Sequence, residues 1–139
     1  MTTSEATTGD ELEIRNTLGR LSQLADRGLI SELDEYVACF TDDGIFETPM
    51  ETRRGAEDIR EGAAGRRSEN GPEVQTRHIV GSTVIRFEGP DDAIAESNFV
   101  FGGPGADGRA AVMLIGHYDD RFHRTESGWR VSHRRISFA

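Results

Sequence analysis

The spacing of the β-rich runs constrains this chain most. Residues 74–87, 93–101, 109–124 and 129–138 are rich in β-branched and aromatic residues. Only Glu88-Gly89-Pro90-Asp91, the Gly-rich stretch 102–108 and Thr125-Glu126-Ser127-Gly128 separate them. Connections that short admit hairpins and leave no room for crossover helices, so the four runs predict an antiparallel meander. A meander of this length must curve. The first third of the chain reads as helices, which can close over the concave side and make a cup for a small molecule.

Within that first third, Thr8 and Glu11 fit a capping box, and Ile14, Leu18, Leu21 and Ala25 recur on one helical face. Gly28 stands where a helix needs a left-handed residue to stop. A second helix is predicted from Ser31, with Leu33, Val37 and Phe40 on one face and Thr41-Asp42-Asp43-Gly44 ending it. Ile45–Thr48 then reads as a short strand broken by Pro49. Residues 54–67 predict a weaker helix, because Gly62 and Gly65 each cost about 1 kcal/mol relative to Ala. In the strand region, alternation puts Val80, Ser82 and Val84 on the face of His78, with Ile79, Thr83, Ile85 and Phe87 opposite. Residues 109–124 would span ~50 Å if flat, so a bend is expected, with Gly116 as its natural place.

At 139 residues the chain is expected to form one domain over residues 1–139, with a frayed start at residues 1–8. The net charge of −9 argues against nucleic acid and anionic membranes as partners. The acidity is local: residues 1–73 hold 17 acidic residues against 8 Arg, while the strand region is balanced. All 16 basic residues are Arg, which removes lysine Schiff-base chemistry and the P-loop lysine. Cys39 lies in an apolar stretch and reads as a buried, inert thiol. The N-terminus has no signal-peptide pattern and no run approaches the ~20 apolar residues of a membrane span. A cytoplasmic location is expected.

Two residues invite a chemical reading. Asp26 sits in the last turn of the first helix, where the macrodipole disfavours negative charge. It belongs either to a solvated turn or to the cup, where it could carry a proton or hold an imidazole. His78 opens the first long strand on an apolar face, and is either a satisfied core residue or an acid–base group. The remaining histidines are weaker. His117 and His123 lie ~20 Å apart along one strand, His117 and Asp119 have no evident third ligand, and His133 reads as a surface or subunit contact. No metal site is expected, and no nucleophile elbow or phosphate loop is present. Phe46, Met50, Phe99, Phe101, Tyr118 and Phe122 are candidates to line the cup. Trp129 reads as the anchor of the last hairpin.

The order of these pieces carries a resemblance. Ala25-Asp26-Arg27-Gly28, Leu33 and 39–46 (Cys39 to Phe46) are followed by Arg54–Ile59, Thr76–Val80, Gly116–Phe122 and Gly128–Val131. Together they resemble the nuclear transport factor 2-like superfamily and, within it, the SnoaL-like group that includes scytalone dehydratase-type proteins. The resemblance implies an α+β cone: a strongly curved antiparallel sheet closed by N-terminal helices around a pocket. It also implies assembly through the outer sheet surface as a homodimer or higher homo-oligomer. In the dehydratase-type members an aspartate ending helix one pairs with a histidine on the first long strand, positions held here by Asp26 and His78. Their second histidine, on the next strand, has no counterpart in 93–101, where Ser97 and Asn98 are the nearest polar residues. Their tyrosine before the aspartate is replaced by Ala25.

The expected function is therefore cofactor-independent acid–base chemistry, of dehydratase, isomerase or cyclase type, on a small hydrophobic or aromatic, polyketide-like ligand. Asp26 and His78 are the expected catalytic pair. Phe46, Met50, Asn98, Phe99 and Tyr118 are the expected substrate-binding set, with Asn98 or Tyr118 polarising a carbonyl. Two alternatives stand beside this. One is a non-catalytic cavity that binds a ligand or assembles with a subunit. The other is an epoxide hydrolase-like site using Asp26, Glu96 and an arginine.

Overall fold

The computed structural model describes residues 6–139. Helix α1 (Thr8–Arg27) leads through a 3-10 turn at Ile30–Glu32 into the short α2 (Leu33–Val37). Strands β1 (Phe40–Glu47) and β2 (Thr52–Arg54) follow, then α3 (Ala56–Ala64). The long strands β3 (Arg77–Phe87), β4 (Asp92–Pro104), β5 (Ala110–Thr125) and β6 (Gly128–Phe138) complete the chain. They form one curved, open α+β sheet in the order β2-β1-β6-β5-β4-β3. The β3–β6 meander is antiparallel, as the short connections require. The sheet as a whole departs from the expected all-antiparallel form, because β1 joins β6 in parallel. That pairing is possible because β2, α3 and strands β3–β5 lie between β1 and β6 in the chain and supply the long return path that a parallel pair needs.

Helix α1 begins one residue earlier than the capping pattern implies. Thr7 is the N-cap, accepting from the Asp10 N–H, while the Asp10 carboxylate accepts from the Thr7 N–H. Of the residues expected to fray, Thr7 and Thr8 belong to this cap and helix start, and residues 1–5 lie outside the described residues. Gly28 ends the helix at φ 55°, in the left-handed conformation foreseen for it. Ile14, Leu18, Leu21 and Leu24 are buried, whereas Ala25 is exposed at the edge of a cavity between the helices and the sheet. The second helix stops short of Phe40, which is recruited into β1: the Val131 N–H donates to the Cys39 carbonyl, fixing this segment to β6. Ser31 makes no cap there.

The core lies between α1, α2, α3 and the inner face of the sheet, around Ile14, Leu21, Phe40, Phe122 and Val131. Cys39 is buried in it, and burial raises its thiol pKa above the ordinary value. Trp129 anchors the last hairpin to α1, as expected. Its backbone N–H donates to Glu13 at 2.7 Å and its indole N–H to Asp10 at 3.0 Å. No helix among the described residues is long and apolar enough to cross a membrane.

Three register shifts shape the meander. On β3 the shift falls between Gly81 and Val84, where Ser82 adopts φ 52° and Ser82 and Thr83 together oppose Ser97. The extra residue changes the alternation. His78 and Val80 face inward before it, and Thr83, Ile85 and Phe87 after it, so the simple two-residue period placing Ser82 and Val84 with His78 is corrected. On β5 the extra residue is Met113, and on β6 it is Ser132. Gly116 is not the bend. It pairs directly with Phe99, and a Cβ there would overlap the Phe99 ring. Its role is close approach: the ring lies over β5 and stacks on Tyr118 at 4.4 Å.

Candidate active site

Asp26 leaves the last turn of α1 and is buried. A carboxylate at a helix C-terminus needs compensating donors, and His78 supplies all of those the geometry provides. The His78 backbone N–H donates to Asp26 Oδ2 at 3.0 Å and to Oδ1 at 3.2 Å. The imidazole Nδ1 lies 2.7 Å from Asp26 Oδ1. An ionised carboxylate accepts only, so this contact makes Nδ1 the protonated nitrogen. Nε2 is left as the free acceptor, with no protein partner among the described residues. The ring is held by Phe101, with centroids 4.6 Å apart, and more loosely by Phe99.

Both groups line a cavity of about 720 Å³ between the helices and the concave sheet. This is within the ~300–1,000 Å³ usual for small-molecule sites. Of the residues expected to line it, Phe46, Met50, Phe99, Phe101 and Tyr118 do so. Met50 is at the rim, 74% exposed, on the Thr48–Glu51 turn. Phe122 does not reach the cavity and fills the core under α1 instead.

Several polar groups join them that sequence reasoning missed. Arg134 on β6 lines the cavity and is buried with Asp120 on β5, donating from Nε at 2.9 Å and Nη2 at 3.0 Å. Burial opposes the guanidinium charge, but the Asp120 carboxylate outweighs it and Arg134 is held above the ordinary arginine range. Its guanidinium carbon also lies 3.8 Å from the Tyr118 ring centroid. Burial pushes the Tyr118 hydroxyl up to about 12, with Arg134 opposing, and burial raises Tyr36 as well. Both tyrosines line the cavity as neutral hydroxyls. Ser22, one turn before Asp26 on the same face of α1, has a buried Oγ without a partner among the described residues. A tally of helical spacing would have found Ser22; nothing in single-strand spacing marks Arg134.

Residues 6–135 match the SnoaL-like domain. The chain belongs to the SnoaL-like domain family. Solved structures agree with this. Rv3472 of Mycobacterium tuberculosis, a protein of unknown function, is 25% identical with TM-score 0.79, over 96% of this chain and 78% of that one. A Catenulispora acidiphila protein in complex with S-DNPA is 22% identical with TM-score 0.76, over 95% of each chain. A Novosphingobium aromaticivorans protein provisionally assigned as a scytalone dehydratase is 18% identical with TM-score 0.74, over 96% of this chain and 89% of that one. At these last two identities the likeness is one of fold. Among curated proteins, none matches the sequence significantly.

In this SnoaL-like domain two expected site residues fall outside the cavity. Asn98 is on the convex face, where its Oδ1 is 2.8 Å from His117 Nδ1. Adjacent residues of a strand face opposite ways, so with Phe99 inside, Asn98 must be outside. For the same reason Glu96 points outward, next to Arg86 and His117, and cannot join Asp26 in an epoxide hydrolase-like set. Glu96 also corrects the reading of His117 and Asp119 as a pair lacking a third group. Their ligand atoms and that of Glu96 all lie within 4.8 Å of one another, brought together by strand pairing. Arg86 and Arg135 each approach one of these carboxylates to 3.9 Å, which offsets their charge. His123 contacts Asp92 and His133 contacts Glu47 at the surface.

Proposed function

We propose that this SnoaL-like domain is a cofactor-independent acid–base enzyme, a lyase or isomerase acting on a small, largely apolar cyclic or polyketide-like ketone. The observation that carries the reading is the Asp26–His78 pair, which leaves Nε2 of a tautomer-fixed imidazole free in an apolar cavity. In this reading Nε2 takes a proton from the carbon beside a carbonyl, and the C–H electron pair moves onto the carbonyl oxygen. Asp26 stabilises the imidazolium that results. When a hydroxyl stands β to the carbonyl, the enolate's C=O re-forms, its electron pair makes a Cα=Cβ bond, and the Cβ–O bond breaks, hydroxide leaving with the His78 proton as water. Where a C=C bond stands β,γ to the carbonyl instead, the intermediate is a dienolate, the His78 proton returns at its γ-carbon, and the reaction is an isomerisation. Tyr118, one of the two residues expected to polarise the carbonyl, and Tyr36, both kept neutral by burial, are the donors for the enolate oxygen; Asn98, the other, lies outside the cavity.

The test is turnover of a panel of hydroxylated cyclic ketones by Asp26→Asn and His78→Ala. Each is expected to lower kcat/KM by about 10²–10⁴-fold, with both variants folded by circular dichroism. Turnover that survives both changes would refute the mechanism. One observation favours the second reading, a non-catalytic binding cavity: the inward positions of β4 near His78 are Ser97, Phe99 and Phe101, with no second imidazole. Saturable binding of the same ketones without turnover would select it.

A further inference from the structure

The cations around the cavity are not balanced alike. Arg134 is matched by Asp120, and Glu51 at the rim is matched by Arg53 at 3.2 Å. Arg66 and Arg67, just past the end of α3, also line the cavity. Among the described residues, neither has a carboxylate within salt-bridge distance. This occurs in a chain with 25 acidic residues against 16 Arg, where most cavity-side and surface arginines have found a partner. Aromatic faces hold these two instead. The Arg67 guanidinium lies 4.8 Å from the Tyr36 ring centroid, and that of Arg66 lies 5.9 Å from Phe46. Among the described residues, the Arg67 side chain makes one hydrogen bond, from Nη1 to the Leu29 carbonyl at 3.1 Å. Burial lowers its pKa from the ordinary value, with the Glu32 carboxylate, itself bonded to Arg27, opposing. The carbonyl end of α3 favours cations nearby, but that does not account for both side chains being stacked on rings of the cavity wall.

A guanidinium stacked on an aromatic face keeps its N–H edge available, and that edge matches a planar anion with two oxygens. The rest of the wall near His78 is apolar: Phe99, Phe101, Leu114 and Ile136. We propose that the ligand of this cavity carries a carboxylate, bound at the mouth by Arg67 and Arg66, with its apolar body directed inward to His78. The inference rests on the cavity being a small-molecule site and names the chemical class of what enters it. The arginines bind and orient; they take no part in the proton transfer. An anion held at the mouth also keeps the ligand's negative charge away from Asp26.

Calorimetric titration tests this without knowledge of the natural substrate. Benzoate, naphthoate and cyclohexanecarboxylate are each compared with the uncharged carboxamide. The wild-type protein is expected to prefer at least one carboxylate by roughly tenfold or more, the scale of hydrogen bonds to a charged group. Raising sodium chloride tenfold should shrink that preference. The Arg66→Met/Arg67→Met variant should lose it while still binding the carboxamide, and Arg66→Met alone should lose part of it. His78→Ala should retain it, which separates anion recognition from the proposed catalysis. Absence of binding by all three carboxylates, equal affinity for acid and amide, or a preference unchanged by salt would each overturn the proposal on wild-type protein alone.

Discussion

Removing the Asp120 carboxylate should be among the most damaging single changes to this protein. Asp120 and Arg134 are directly paired in register across β5 and β6, and their side chains are 0% and 5% exposed. Two hydrogen bonds at 2.9 and 3.0 Å join them. In Asp120→Ala the guanidinium stays buried without its counter-charge, at a cost of about 3–5 kcal/mol. Typical total stabilities are only ~5–15 kcal/mol, so a large share of the folding free energy is at stake. For a chain of this length the change corresponds to a fall in Tm of roughly 10–20 °C. Urea unfolding followed by circular dichroism is the assay, and the midpoint should move with little change in m. The paired replacement Asp120→Leu/Arg134→Met should recover much of the loss, since it removes both desolvated charges together. A cost below ~1 kcal/mol for Asp120→Ala would refute the reasoning, because it would mean water reaches the guanidinium. Equal damage by the double variant would show that packing, rather than charge, sets the penalty.

Two further outcomes follow from other parts of the structure. Hydrogen bonds from Arg124 and then Trp129 hold Asp10 well below the ordinary carboxylate range. Its contribution to stability is therefore present above the unfolded value of ~3.9 and lost as the pH falls below it. Because Trp129 is the single tryptophan and donates to Asp10, its fluorescence should report this acid transition, and Asp10→Asn should remove that component. On the convex face, Ile79, Val100 and Ile115 are aligned across β3, β4 and β5, with Ile79 63% and Ile115 51% exposed. An assembly of this protein through the stripe would be weakened by Ile115→Glu and lose mass by light scattering; an unchanged mass would place any interface elsewhere.

The parts of this protein legible in one dimension are those set by local rules. The α1 stop at Gly28, the four-strand meander and the anchoring of Trp129 follow from helix capping, alternation and hairpin-length connections. The meeting of Asp26 and His78 was legible through likeness to a family pattern. Alternation, applied strictly, would also have put Asn98 and Glu96 outside once Phe99 was placed inside. Phe40 misled because a buried apolar residue fits a helix face and a strand equally well; its pairing with Val131 decides for the strand.

From its order of residues alone, then, the chain determines that a helix-capped meander forms and that an imidazole and a carboxylate can approach each other within it. Tertiary structure decided the rest of the site. One extra residue at Ser82 lets both His78 and Phe87 face inward on a single strand. Another, at Ser132, sets Arg134 opposite Asp120 rather than Asp119. An extra residue changes which side of the sheet every later side chain occupies, and whether the chain accepts it depends on neighbouring strands. The same dependence on distant partners brings Arg66 and Arg67 to rings contributed by β1 and α2, a proximity that no local periodicity encodes.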